Sequence, residues 1–162
     1  MSLTSLTKEQ ALQKLRQYCA YQERSHKEVK EKLYGYGLHK RETEESISQL
    51  IEEGYLNEER FAIQYAGGKF RMMHWGKVKI RYELKLKQVS DYCIRKALQQ
   101  IDEDAYEKTL DHLAEEKWRL LRGEQNRFTK KRKLQDYLLQ KGFESDRVGE
   151  MVKKYSANLA ED

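Results

Sequence analysis

Along most of this chain apolar residues recur at spacings of three and four, the period that stacks side chains on one face of an α-helix. Thr7-Lys8-Glu9-Gln10 has the form of a capping box, and Leu12, Leu15, Tyr18 and Cys19 follow it as a stripe. Ser25-His26-Lys27-Glu28 is a second box, leading Val29, Leu33 and Tyr36 to Gly37, a residue able to close a helix in the left-handed conformation. Thr43, Ile47, Leu50 and Ile51 predict a third helix that stops at Gly54. Asn57 opens a fourth through Phe61, Tyr65 and Phe70, with Gly67-Gly68 expected to kink or fray it. After Gly76 come Val78, Ile80, Leu84 and Leu86. Ser90 caps Cys93, Ile94, Ala97, Leu98 and Ile101, and Asp102 caps a long stretch through Tyr106, Leu110, Leu113, Trp118 and Leu121. Thr129 is expected to cap Leu134, Tyr137 and Leu138 ahead of Gly142, and Ser145 to cap Val148, Met151, Val152 and Tyr155. The spacing predicts nine helices and no sheet.

The stripes also repeat at long range. Superimposing the second helix of each group of three aligns Val29, Ile80 and Leu134, then Leu33, Leu84 and Leu138, then Gly37, Gln88 and Gly142. Leu38, Val89 and Phe143 follow, and farther on Thr43, Ile94 and Val148, then Ile47, Leu98 and Val152. A register held over about fifty residues is the signature of a repeat array. Amphipathic helices align by period alone, but the glycine turn shared by Gly37 and Gly142 weighs against coincidence. The expected fold is all-α: an elongated array of three tandem three-helix repeats spanning 7–56, 57–101 and 102–156.

Composition supports helices. The 162 residues contain no proline, the residue that helix interiors tolerate worst. Charged residues make up 36% and mean hydropathy is −1.00, so the apolar supply suits thin helical layers better than one thick core. Cys19 and Cys93 sit on apolar stripes without CxxC spacing, as reduced core residues of a cytoplasmic protein would. No apolar run approaches the ~18 residues of a membrane span, and the first residues lack a secretion-signal pattern. A monomer with no membrane association is expected.

A search for catalytic chemistry finds no phosphate loop, dinucleotide fingerprint or nucleophile elbow. His26, His39, His74 and His112 form no i, i+4 pair, and no spacing offers three converging metal ligands. Adjacent acids such as Glu52-Glu53 and Glu58-Glu59 diverge by about 100° around a helix, which suits solvated faces better than acid–base catalysis. The expectation is a protein without catalytic residues, cofactor or metal.

Charge changes the picture through its distribution. The net charge of +5 hides alternating blocks. Glu42–Arg60 and Asp102–Glu116 each hold seven acids and one base. Between them lie Lys69, Arg71, Lys77, Lys79, Arg81, Lys85 and Lys87 with one acid, Glu83. Beyond them lie Lys130, Lys131, Arg132 and Lys133. One reading is mutual neutralisation between neighbouring segments. The other is a basic stripe on one side of the array for an acidic partner, since both blocks lie at the entry to the second helix of a repeat. Aromatics interleave with them, and Trp75, beside Gly76 in a turn, is the one expected to be partly exposed.

Three segments carry a resemblance. Ile51-Glu52-Glu53-Gly54-Tyr55-Leu56-Asn57-Glu58-Glu59-Arg60-Phe61-Ala62 resembles the glycine turn and acidic-acidic-Arg-Phe-Ala helix start of the RecX family. His74-Trp75-Gly76, with Lys79-Ile80-Arg81, Glu83-Leu84 and Lys87-Gln88-Val89-Ser90, resembles the next family segment, and Leu134 to Phe143 a third. The match runs in order over residues 11–154. Lys77 and Gln88 depart from it, standing where the family usually has proline and glycine. The resemblance implies a regulator that binds in the groove of the RecA–DNA filament and restrains its ATP hydrolysis, strand exchange and co-protease action. It implies a RecA partner and contacts to single- or double-stranded DNA, for which the twelve residues Lys69, Arg71, Trp75, Lys77, Lys79, Arg81, Lys85, Lys87, Lys130, Lys131, Arg132 and Lys133 are the candidates. The alternative is a direct DNA-binding module that uses pairs such as 77–87 and 91–101 like a helix-turn-helix.

Overall fold

Glycine turns and polar caps do the local work of this fold. The computed structural model describes residues 5–157, and every regular element within them is helical. In order these are α1 (Lys8–Tyr21), α2 (His26–Gly35), α3 (Lys40–Glu52), α4 (Glu58–Gly68), a π-helical turn (Lys69–Met73), α5 (Lys77–Leu86), α6 (Asp91–Gln99), α7 (Glu103–Leu120), α8 (Arg127–Gln140) and α9 (Ser145–Ser156). Both capping boxes form: Thr7 Oγ1 accepts from Gln10 N at 3.2 Å and Ser25 Oγ from Glu28 N at 3.1 Å. Asn57, Ser90 and Asp102 cap their helices as expected.

The repeated register is visible in backbone and burial alike. Gly37 and Gly142 adopt φ of 89° and 99°, and Gln88, at the equivalent position, adopts 63°. The residue after each donates back across the turn: Leu38 N to Leu33 O, Val89 N to Leu84 O and Phe143 N to Leu138 O, at 3.2, 3.1 and 3.3 Å. This is the six-to-one bond of a Schellman helix end, with its apolar follower buried. Val29, Ile80 and Leu134 expose nothing, nor do Leu33, Leu84 and Leu138.

The residues fall into two compact units. One comprises the described residues through Tyr65 together with Glu83–Ala97, the other Ala66–Tyr82 together with the described residues from Leu98 onward. The boundaries therefore cut α4, α5 and α6. In the first unit α1, α2 and α3 pack on one another round Leu12, Leu15, Val29, Leu33 and Leu50. Arg16 holds the Glu53 carboxylate with two bonds, at 2.9 and 3.0 Å, tying α1 to α3. Cys19 is buried and unpaired, and burial pushes its thiol up to about 11. In the second unit α7, α8 and α9 pack together round Tyr106, Leu110, Leu134, Leu138 and Val148.

Several local expectations are corrected. Asn126, not Thr129, caps α8: its Oδ1 accepts the Thr129 amide at 3.0 Å. Asn and Asp reach this geometry at least as well as Thr, and Asn126 comes first in the chain. Ser145 is the first residue of α9, preceded by Glu144, which makes no side-chain cap bond. At Gly67-Gly68, where a kink or fraying was expected, regular α-helix ends and a π turn takes over, which His74 closes at φ 58°. Ile51, Val78 and Leu86, placed on apolar stripes by spacing, are 45%, 52% and 51% exposed.

Candidate partner-binding surface

The second unit organises the start of the basic segment through a backbone lock. Gly76 N donates to Lys141 O at 2.8 Å and Val78 N to Gly142 O at 2.9 Å. A Cβ on Gly76 would lie 2.3 Å from the Gly142 carbonyl, and one on Gly142 only 2.2 Å from Lys79 Cβ, so this crossing admits glycine alone. It fixes the turn before α5 against the turn after α8. Trp75, half-buried, rests in that turn. Lys69 Nζ lies 5.0 Å and Lys79 Nζ 4.7 Å from the centre of its ring, within cation–π range. Arg71 folds back on its helix; a Cβ on Gly67 would meet its guanidinium at 2.7 Å.

Lys77, two residues from Lys79, has a different role. Its amide donates to the Tyr106 hydroxyl at 2.9 Å, while its Nζ lies 3.6 Å from Glu103 Oε2 and 4.6 Å from the Tyr106 ring centre. Tyr106 is fully buried between Phe70 and Phe143 and donates to Glu144 Oε1 at 2.5 Å. Burial, then that hydrogen bond, pushes its phenol well above the ordinary tyrosine range. Arg147 binds Glu103 at 2.6 Å, Glu107, and Glu144 at 3.5 Å. Lys77 thus belongs to a network that closes α7 and α9 on the turn. Arg81, on the next turn of α5, is exposed and makes no ion pair among the described residues.

In the first unit, Lys85 pairs with Asp91 Oδ1 at 3.2 Å, and Lys87 Nζ lies 5.6 Å from the Tyr65 ring centre. At the start of α8, Lys130 Nζ stands 4.1 Å above Trp118 and Lys133 pairs with Glu124 at 3.0 Å. Lys131 and Arg132 are exposed, beside Phe128 at 78% exposure. Mutual neutralisation therefore describes Lys77, Lys85 and Lys133. Within the second unit, the Trp75 cluster and Lys130–Lys133 lie at opposite ends of α8, about 15 Å apart along its axis at 1.5 Å per residue.

Lys141 was missed by the sequence reading. It lies outside both blocks, yet its Nζ donates to Met73 O at 2.7 Å beside the Trp75 turn. Burial and then the charge of Lys79 hold its ammonium below the usual lysine range. No run of bases flags it; only the contact between two turns brings it there. No group of three or more His, Cys, Asp or Glu able to hold a metal occurs among the described residues. None of their helices is long and apolar enough to cross a membrane.

Comparison with known proteins places this geometry in context. The family description "RecX, second three-helix domain" matches residues 57–98, and "RecX, third three-helix domain" matches residues 104–150. The "Regulatory protein RecX" of Clostridium perfringens (strain 13 / Type A) is 31% identical over 136 residues, 83% of this chain and 63% of that protein's length. The protein of the same name from Chlorobium phaeobacteroides (strain BS1) is 30% identical over 130 residues, 80% of this chain and 83% of that protein. A solved structure titled "Crystal structure of RecX from Lactobacillus salivarius" superimposes with a TM-score of 0.82 at 24% identity, over 93% of this chain and 97% of that one. At that identity the match speaks for the fold.

Proposed function

Because this chain belongs to the RecX family, we propose that it is a regulatory protein that binds the RecA–DNA filament and lowers its ATP turnover, strand exchange and co-protease action without catalysis of its own. The observation that carries this reading is the relationship to proteins named as regulators across most of the chain. The chain spans about 63% of the length of the Clostridium perfringens relative, so these activities are assigned to it as a proposal. The division into repeats 7–56, 57–101 and 102–156 belongs to the same reading.

The local geometry supports a division of labour among the basic residues. Lys77, Lys85 and Lys133 pair with acids of their own chain and serve the fold. Lys69, Arg71, Trp75, Lys79, Arg81, Lys87, Lys130, Lys131 and Arg132 are the contacts assigned to the partner. The test is ATP turnover by RecA filaments assembled on single-stranded DNA, titrated with this protein. Turnover should fall with saturating dependence, while the protein alone hydrolyses nothing. Unchanged turnover at concentrations that coat the filament would overturn the regulatory reading.

A further inference from the structure

Three ammonium groups gather around the Trp75 turn. Lys69 and Lys79 sit 5.0 and 4.7 Å from the indole centre, and Lys141 is anchored beside them by the Met73 carbonyl at 2.7 Å. Among the described residues no carboxylate pairs with Lys79 or Lys141. Lys141 registers the crowding, since burial and the charge of Lys79 both weaken its hold on the proton. Arg147, in the same unit, is by contrast answered by Glu103, Glu107 and Glu144.

The cluster is also built rather than accidental. The π turn and the left-handed His74 set Lys69 against Trp75. The glycine crossing of Gly76 and Gly142 sets Lys79 against the same ring. π turns inserted in α-helices are frequent at functional sites. A fold that holds like charges together on a rigid turn is complementary to an anion whose charge repeats at short intervals. A half-buried indole is complementary to a flat, unpaired ring.

We propose, resting on the filament-binding reading above, that this turn is a binding site for single-stranded nucleic acid, in which Lys69, Lys79 and Lys141 take backbone phosphates and Trp75 stacks on a base. In the free protein the Lys69 and Lys79 ammonium groups lie over the indole and Lys141 holds the Met73 carbonyl. On binding they transfer to phosphate oxygens and uncover a ring face for the base. A duplex fits less well, because its base faces are already stacked. An acidic protein surface would engage the lysines but leave the ring without a partner.

The experiment uses the full chain without RecA. In a Trp118→Phe background Trp75 is the sole tryptophan, and its emission is followed during titration with a short oligothymidylate at several salt concentrations. Saturable quenching is expected. Lys79→Gln with Lys141→Gln should flatten the dependence of log affinity on log salt by about 1.4, at about 0.7 per lost single-strand contact. Trp75→Leu, read by anisotropy of a labelled strand, should weaken binding by about tenfold to a hundredfold. Circular dichroism melts verify folding, and Lys79→Arg with Lys141→Arg should keep the salt slope. Absence of quenching, an unchanged slope in the Gln variant, or equal competition by duplex or by oligoglutamate would overturn the proposal. If the bare strand fails to bind while wild-type protein still lowers filament ATP turnover, this site is refuted and the regulatory reading stands. Strand binding with no effect on the filament gives the reverse.

Discussion

Tyr106→Phe isolates one oxygen atom at the centre of the second unit. The residue exposes nothing, and its hydroxyl donates to Glu144 Oε1 at 2.5 Å while accepting the Lys77 amide at 2.9 Å. Phenylalanine keeps the ring contacts with Phe70 and Phe143, at centroid distances of 5.7 and 5.2 Å. What is lost is a bond to a charged carboxylate and the partner of an amide in the first turn of α5. Glu144 keeps Arg147, so the carboxylate is not stranded. The Lys77 amide has no carbonyl within its helix to turn to. A hydrogen bond to a charged group is worth about 1.5–3 kcal/mol, and a stranded buried donor costs about 1–3 kcal/mol. With Arg147 compensating, the expected loss is about 2 kcal/mol. Both tryptophans, Trp75 and Trp118, lie in this unit, so tryptophan emission in urea reports on its unfolding. For a urea m value of about 2 kcal/mol/M the midpoint should fall by about 1 M. Glu144→Gln combined with Tyr106→Phe should cost less than the sum of the two, since they share a bond. A Tyr106→Phe midpoint equal to that of the wild type would refute the view that this hydroxyl closes the turn onto α7 and α9.

Leu33, Leu84 and Leu138 occupy equivalent sites with no exposure, so alanine at each should cost about 2–5 kcal/mol in urea unfolding; three unaltered curves would sink the repeat register. Gln88 holds φ 63° where its counterparts are glycines, and a left-handed L-residue costs about 1–2 kcal/mol. Gln88→Gly should therefore raise stability by about 1 kcal/mol, and a drop would show that the Gln88 side chain contributes more than its backbone strain costs. Asp111 accepts from Lys154 Nζ and Tyr155 Oη, both at 2.7 Å, and the Lys154 bond comes first in holding its carboxyl below the ordinary 3.8. A native value below the unfolded one stabilises fully above that pH and is lost as pH falls through the native value. The difference in melting temperature between wild type and Asp111→Asn should thus be constant near neutrality and shrink below 3.8. A gap that persists in strong acid would point to packing instead.

How much of this was legible in the sequence follows from the range of each interaction. Capping at Thr7, Ser25, Asn57, Ser90 and Asp102 depends on atoms three residues apart, so adjacent letters suffice to find it. Helix ends at Gly37 and Gly142 are equally local, and the period linking Leu33, Leu84 and Leu138 follows from side chains needing a buried face. Local signals compete, however: Asn126 outdid Thr129 as a cap, and apolar Val78 and Leu86 lay on the exposed side because α5 has a single buried face, occupied by Ile80 and Leu84. The candidate site was legible only as a run of positive charge. Lys77 and Lys79 read alike in that run, but two steps of about 100° turn them to opposite sides of α5. One meets Glu103 and Tyr106, the other Trp75. Lys141, more than sixty residues away, joins the second of these through the close approach of Gly76 and Gly142. The chain by itself determined where its helices begin, end and recur, since those depend on neighbours in sequence. Which charges are answered and which stand together was decided by backbone contacts between distant turns, for which no local pattern is needed and none is present.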